Sequence, residues 1–135
     1  MTAVLGIGAV TVKFEPDLSL GNRNRITAYG TGYVNVAGLR HTRNLIIMAD
    51  RVIPGWGPTS AGEFLPEHME ALARLEPELV LVGTGARLVF PRHEIMTSLP
   101  LMGIGLEFMD TGAACRAYNF LLGEDRRVAA ALIIA

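Results

Sequence analysis

The segment Met109-Asp110-Thr111-Gly112-Ala113-Ala114-Cys115-Arg116-Ala117-Tyr118-Asn119 joins a predicted strand to a predicted helix. The apolar run from Ile104 to Phe108 before it suits a strand, and Asp110 is a favoured residue at the start of a helix. The alanine-rich residues that follow predict a helix from Thr111 to about Leu122, which Gly123 ends. A strand that leads directly into a helix indicates an α/β domain.

The rest of the second half of the chain continues this alternation. Leu65, Met69 and Leu72 fall on one side of a helix, and Pro66 suits a first helical position. Alternating strands and helices imply crossover connections and parallel pairing. The predicted elements are helices from Pro66 to about Leu75 and from Pro91 to about Leu99, strands from Leu79 to Val82 and from Ile104 to Phe108 inside the sheet, a short strand from Arg87 to Phe90, and a last buried strand from Val128 to Ile134.

The first half follows a different pattern. Ile26 to Gly30 and Tyr33 to Val36 hold aromatic and β-branched residues between glycines, which predicts paired antiparallel strands. Leu45 to Met48 and the Val52-Ile53 pair continue as strand material. Together with the parallel strands expected later, they make the sheet mixed. Residues 1–25 show no sustained period, and we treat them as an N-terminal arm before a single domain over residues 26–135.

The composition of the 135 residues is that of one globular domain and argues against several functions. A formal net charge of −1 gives no electrostatic reason to bind nucleic acid or an anionic membrane. The apolar runs are shorter than the roughly 20 residues of a transmembrane helix, and we find no secretory signal pattern. Three widely spaced histidines and one cysteine give little support for a metal site. We therefore expect a cytoplasmic protein with no metal and no cofactor.

Two glycine-containing motifs in register carry a resemblance to a known family. They are Gly83 to Pro91 and Met109 to Asn119, and the segments Tyr29 to Tyr33, Ile53 to Trp56 and Leu75 to Leu79 match as well. From about Ile26 to Ile134 the chain resembles bacterial members of the domain family that includes the mitochondrial respiratory complex I assembly factor 3 and the adipogenesis-associated domain protein. The resemblance implies a three-layer α/β domain with a mixed central β-sheet, helices on one side and a β-hairpin layer on the other. It implies a protein partner in membrane-complex assembly and no established catalysis.

The Asp110-Thr111-Gly112 triplet has two interpretations. After an apolar strand it is the signature of half an aspartic-protease site, in which two carboxylates share a proton. That class of enzyme needs an all-β fold, whereas an alanine-rich helical segment follows the triplet here. We therefore interpret Asp110 as a helix cap, with its carboxylate accepting amide hydrogen bonds at the positive end of the helix dipole.

Cys115 lies in the first turns of the same helix, where the helix dipole and Arg116 favour a thiolate. A nucleophile also needs a base, and no histidine is near in the sequence. Free cysteine is among the most buried residue types, so packing is the favoured interpretation. We assign no catalytic residue.

Polar side chains after two strands predict a cleft. If the Leu79 to Val82 and Ile104 to Phe108 strands are parallel neighbours, the turns after them meet at the carboxyl edge of the sheet, where α/β proteins bind ligands. The Gly83-Thr84-Gly85 turn resembles half of a phosphate-binding loop but lacks its helix, so a tight turn is favoured. Arg116 and Asn119 either reach a ligand or hold neighbouring loops. The candidate residues for binding an anionic or peptide group are Thr84, Asp110, Thr111, Arg116 and Asn119.

Trp56 is the candidate residue for binding a protein partner. The proline- and glycine-rich loop from Pro54 to Pro58 is expected to display its side chain, and exposed tryptophan is favoured at interfaces. Packing over the edge of the sheet is the other interpretation, and it is the favoured one.

Three functions follow from these observations. The family resemblance implies a non-catalytic binding or assembly-factor-like domain. The predicted cleft implies instead a small-ligand-binding protein or an enzyme that uses Asp110, Arg116 and Asn119 at the carboxyl edge of the sheet. A purely structural scaffold is the third.

Overall fold

The computed structural model describes residues 3–6, 9–15, 21 and 23–134, and within them the strands form two five-stranded sheets. The first sheet is antiparallel, and each strand pairs with the next one along the chain. This arrangement confirms the predicted meander. Its strands are β1 (Ala3–Gly6), β2 (Ala9–Lys13), β3 (Ile26–Gly30), β4 (Tyr33–Val36) and β5 (Leu39–His41).

The second sheet is mixed, as predicted. Its strands are β6 (Leu45–Met48), β7 (Arg51–Pro54), β8 (Leu79–Gly83), β9 (Gly105–Met109) and β10 (Val128–Leu132), in the spatial order β7-β6-β10-β8-β9. The pairs of β10 with β8 and of β8 with β9 are parallel, whereas β6 pairs antiparallel with both β10 and β7. The last strand of the chain therefore lies at the centre of this sheet.

Three helices accompany the sheets in the described part of the chain: α1 (Pro66–Ala73), α2 (His93–Ser98) and α3 (Thr111–Gly123). The helices α1 and α2 pack on one face of the mixed sheet, through residues such as Leu72 and Ile95. The antiparallel sheet covers the other face and encloses α3, whose Tyr118 is fully buried between the two sheets. The structure thus has the three layers that the resemblance implied, except that α3 lies on the side of the antiparallel sheet and not with α1 and α2. None of the helices described is long and apolar enough to span a membrane.

Residue size explains how closely these layers approach. All residues of β10 are buried, and three of them are alanines, which leave room for packing on both faces of the strand. On α3, Ala114 and Cys115 face the same core. At the end of β8, a Cβ on Gly83 would lie 2.9 Å from both the Cα and the Oγ1 of Thr111. A glycine is therefore required where the start of α3 meets this strand.

Three details of the sequence prediction need correction. The strand β9 lies at the edge of the mixed sheet rather than inside it, because the final strand β10 inserts between β6 and β8. Residues 87–90 form a loop rather than a strand, and the backbone amide of Val89 donates to the Thr84 side chain. The prediction also missed β5, a strand of three residues with little hydrophobic pattern.

The first 25 residues hold more structure than their pattern predicted. They contain β1 and β2, and β2 pairs with β3, so the antiparallel sheet extends across the boundary expected at residue 26. Residues 1–2, 7–8, 16–20, 22 and 135 lie outside the described residues. The division into an arm and a single domain stays a prediction.

Candidate functional site

An open cleft of about 480 Å³ lies where the two sheets meet the start of α3. Gly83 of β8 is paired with Met109 of β9 in the parallel ladder, so the turns after both strands emerge at one edge, as expected. The turn between β3 and β4 approaches from the antiparallel sheet. Of the five predicted ligand-binding residues, Asp110, Thr111 and Arg116 line the cleft.

Asp110 is the N-cap of α3. Its Oδ1 accepts a hydrogen bond from the backbone amide of Ala113 at 2.8 Å, and its own carbonyl accepts the amide of Ala114. This geometry confirms capping and satisfies amides that a helix start leaves unpaired. The aspartic-protease interpretation also fails on the fold, because α3 begins at Thr111, inside the triplet.

The Thr111 side chain both donates and accepts a hydrogen bond within the protein. Its Oγ1 donates to the carbonyl of Ile133 at 2.7 Å and accepts the amide of Gly85 at 2.8 Å. The side chain thereby ties the start of α3 to the chain ends of β8 and β10. The Gly85 amide used here is one that a phosphate-binding loop would leave free, so the tight-turn interpretation of residues 83–85 fits better.

Thr84 does not line the cleft between the sheets. Its side chain is buried, and its Oγ1 donates to the carbonyl of Arg87 at 2.7 Å while accepting the amide of Val89 at 3.1 Å. Its backbone amide donates to the carbonyl of Met109 at 2.8 Å. Thr84 thus organises the loop after β8. The expectation that all five candidate side chains line one cleft is therefore wrong.

Asn119 is also outside the cleft, because its amide group is paired with the backbone of β3. The Oδ1 atom accepts the Ile26 amide at 2.9 Å, and Nδ2 donates to the Ile26 carbonyl at 2.7 Å. The pairing of β3 with β4 is irregular beside this residue, between Ile26 and Ala28. Asn119 therefore supplies the hydrogen bonds that a neighbouring strand would otherwise provide.

Arg116 is exposed and reaches across the cleft. Its Nη1 donates to the Tyr29 hydroxyl at 2.5 Å, which links α3 to the antiparallel sheet. A Cβ on Gly112 would lie 3.0 Å from Tyr29 Cε2 and 3.5 Å from Arg116 Nη1. Gly112, the third residue of the Asp-Thr-Gly triplet, therefore leaves room for the contact between Arg116 and Tyr29. The Tyr29 to Tyr33 segment is far from α3 in the sequence, and only the fold brings it to the cleft.

Cys115 faces the core beside Tyr118 and away from solvent. Burial raises the pKa of the thiol to about 12, while the charge of Arg116 lowers it by less and that of Asp110 raises it slightly. The residue is a neutral thiol at physiological pH, which confirms packing over reactivity. Among the described residues, no three His, Cys, Asp or Glu side chains are grouped to hold a metal ion.

Trp56 is buried, with 6% of its surface exposed. Its Nε1 donates to the carbonyl of His68 at 3.0 Å, and its ring packs against Phe64. The expectation that the loop displays this side chain is wrong, because the loop folds back over the face of the mixed sheet that carries α1. A residue in this position lacks the exposed surface of an interface anchor.

A second surface feature was not indicated by any sequence motif. A groove of about 470 Å³ runs between α1 and α2, with an apolar floor that includes Met69 and Leu99. Beside it, Leu101 and Met102 are 84% and 64% exposed. We call this surface the α1–α2 groove; its lining residues are Pro66, Met69, Glu70, Ala73, Arg74, Glu94, Ser98, Leu99 and Met102.

The chain is similar in sequence to known proteins whose descriptions differ. The chain is 35% identical over 108 residues to an uncharacterised protein of Rhodobacter capsulatus, covering 80% of this chain and 82% of that one. It is 33% identical over 66 residues to the 13 kDa major membrane protein of Francisella tularensis, covering 49% of this chain and 54% of that one.

Mitochondrial proteins are also similar. The chain is 39% identical over 80 residues to the zebrafish (Danio rerio) NADH dehydrogenase (ubiquinone) 1 alpha subcomplex assembly factor 3, covering 58% of this chain. It spans about half the length of that relative, namely 46%.

Solved structures share the fold at similar identity. A crystal structure of a Bordetella parapertussis protein has a TM-score of 0.78 at 36% identity, covering 84% of this chain and 97% of that chain. The solution structure of a Bordetella pertussis protein described as an Mth938-like domain has a TM-score of 0.73 at 30% identity, covering 91% of each chain. The model of one family matches residues 26–133, and the chain therefore belongs to the family described as protein of unknown function (DUF498/DUF598).

Proposed function

We propose that this protein is a non-catalytic binding protein that assists the assembly of a membrane-associated protein complex. One observation carries the proposal: the chain is similar to a vertebrate assembly factor, and in the mouse protein the similarity reaches 30% identity over 110 residues, or 80% of this chain. That length includes most of the family domain. Sequence similarity over so much of the chain favours a shared mode of action.

The chemistry around α3 supports binding over catalysis. Thr111 and Asn119 use their polar groups in hydrogen bonds to backbone atoms, and Asp110 caps the helix. The Cys115 thiol is buried, with its pKa raised by burial. These side chains hold the layers together, so they are poorly placed to act as a nucleophile or a base on a substrate.

The test is isolation of the tagged full chain from its own host, at native expression, followed by native mass spectrometry. We expect a stoichiometric protein partner, and we expect deletion of the gene to reduce a membrane complex that contains this partner on native gels. A protein that retains no partner, together with unchanged membrane complexes in the deletion strain, would contradict the proposal.

The cleft supports a second candidate, a site for a small anionic or peptide group. The observation that favours it is the exposed Arg116 guanidinium, which stands with the Tyr29 hydroxyl on the wall of an open cleft. The same native mass spectrum tests it: a retained small molecule that is lost in Arg116→Ala identifies a ligand site. Tyr29→Phe is the matched control, because it removes the hydroxyl and leaves the guanidinium. A partner retained equally by Arg116→Ala supports the assembly proposal alone.

A further inference from the structure

We infer that the α1–α2 groove is where the partner docks, and that the partner contributes an amphipathic helix with basic residues beside its apolar face. This inference rests on the proposed function, because it names the surface and the chemistry of the partner. It depends on three properties of the groove: its shape, its exposed apolar side chains and the charges on its rim.

The shape of the groove suits a helix. Met69 of α1 and Leu99 after α2 are each 1% exposed and form an apolar floor between the two helices. Ala73 is small and keeps the groove open beside them. Shallow apolar channels between two helices accept one face of a third helix through side chains at helical spacing.

Exposed apolar side chains extend this floor to the surface. Pro100–Met102 form a single 3-10 turn after α2, which projects Leu101 and Met102 into solvent. Grouped apolar side chains of this size are uncommon on a surface without a partner, and the flexible methionine side chains adapt to the shape of a ligand.

The charges on the rim select the partner. Glu70 pairs with Arg74 at 3.9 Å, whereas no ion pair is formed by Glu94 within the part of the chain that the structure describes. Of the charged side chains that line the groove, two are carboxylates, Glu70 and Glu94, and one is a guanidinium, Arg74. The lining therefore carries one carboxylate in excess, and Glu94 is available to pair with a partner. Glu94 attracts a basic residue.

The same charge disfavours one other occupant. An anionic membrane surface attracts basic segments and repels this rim. A protein helix with lysine or arginine beside its apolar stripe satisfies both the floor and the rim.

Photocrosslinking in the host tests the surface with the full chain. A photoreactive amino acid replaces Leu101 in one strain and Phe120 in another; Phe120 is 68% exposed on α3 and serves as the matched control. We expect position 101 to crosslink the co-purifying partner, through a segment with apolar residues at helical spacing and adjacent lysine or arginine. Crosslinks to lipid, to a second copy of this chain, to an acidic segment, or equally from position 120 would overturn the inference.

Model peptides test the charge preference in vitro. They are about 18 residues long, which is enough to form a helix, with a leucine stripe and either lysine or glutamate beside it. Fluorescence anisotropy is expected to detect binding of the lysine peptide only, weaker at high salt and roughly fivefold weaker for Glu94→Lys. Glu107→Lys changes an exposed carboxylate on β9 and is expected to leave binding unchanged. Equal binding of both peptides, or no effect of Glu94→Lys, would contradict the inference.

The two proposals fail separately. If Met102→Asp retains the partner in full and position 101 gives no crosslink, the docking site is wrong while the assembly role stands. If the native chain retains no partner at all, the assembly role fails whatever the model peptides do.

Discussion

The two faces of the mixed sheet differ in how their side chains are used. Around the start of α3, polar residues are numerous, and most of them are hydrogen bonded to the backbone of neighbouring elements. On the opposite face, the α1–α2 groove has an apolar floor and exposed apolar side chains beside it. The region with the more distinctive sequence motif is thus the one with the more structural role.

The difference follows from the positions of the helices. Because α3 lies between two sheets, its polar side chains form hydrogen bonds to backbone groups of strands or strand ends on both sides. The helices α1 and α2 pack on one sheet only, so their outer faces stay available. A motif rich in reactive residue types is therefore as typical of a helix that is hydrogen bonded between two sheets as it is of a catalytic site.

The largest effect expected from breaking this pattern comes from Asn119→Ala. It leaves the buried amide and carbonyl of Ile26 without partners, and we expect unfolding free energy to fall by about 3 kcal/mol in urea denaturation. Phe120→Ala, at an exposed site on the same helix, is expected to cost less than about 0.5 kcal/mol. Equal losses in both variants would contradict a structural role for Asn119.

A smaller loss is expected for Thr84→Val, which keeps the shape of a side chain that is 5% exposed. Removal of Oγ1 leaves the Val89 amide and the Arg87 carbonyl unpaired, so unfolding free energy should fall by about 2 kcal/mol. Thr97→Val removes only an exposed bond to the His93 carbonyl and serves as the control. A stability equal to the wild type would show that Thr84 is free for another role.

The capping interpretation of Asp110 is sharpened by two substitutions. Asp110→Ala should lower the unfolding free energy by about 1 kcal/mol, whereas Asp110→Asn should stay within about 0.5 kcal/mol of the wild type. The reason is that an asparagine side chain also accepts the Ala113 amide. Thermal and urea unfolding measure both. If the asparagine variant is as unstable as the alanine variant, the negative charge matters more than the cap.

The buried thiol predicts a dependence of stability on pH. Burial raises the folded pKa of Cys115 from 9.0 to about 12, so the unfolded chain releases its proton first as the pH rises. The contribution of the neutral Cys115 thiol to the unfolding free energy is complete below about pH 8. It is lost toward high pH, by about 0.7 kcal/mol between pH 8.5 and 9.5. Urea unfolding of Cys115→Ala at several pH values should not show this decrease of the unfolding free energy with pH. An unchanged slope in that variant would mean that the folded thiol is not protected.

The smallest effect on stability is expected on the opposite face. Leu101→Ser removes a side chain that is 84% exposed, so unfolding free energy should change by less than about 0.5 kcal/mol. The same variant should weaken capture of the partner in pull-down from the host. A large loss of stability would mean that this side chain packs within the fold, and the contrast between the two faces would then be incorrect.

Local patterns in the sequence were enough to predict most elements and one cap. The helices, the opening meander, the mixed sheet and the role of Asp110 depend on residue period, turn residues and side chains within a few positions of each other. The β5 strand was missed and the 87–90 strand was wrong, because short segments at the edge of a fold carry little pattern of their own.

The sequence by itself determined the family, the alternation of strand and helix, and the supply of polar residues around α3. Only the tertiary structure decided what those residues contact: Asn119 pairs with a backbone 93 positions away, Arg116 meets Tyr29, and Trp56 is buried rather than displayed. It also decided that β10 is central and that the α1–α2 groove stays open. The physical reason is that local preferences act between near neighbours, whereas hydrogen-bond partners and burial depend on which distant segments pack together.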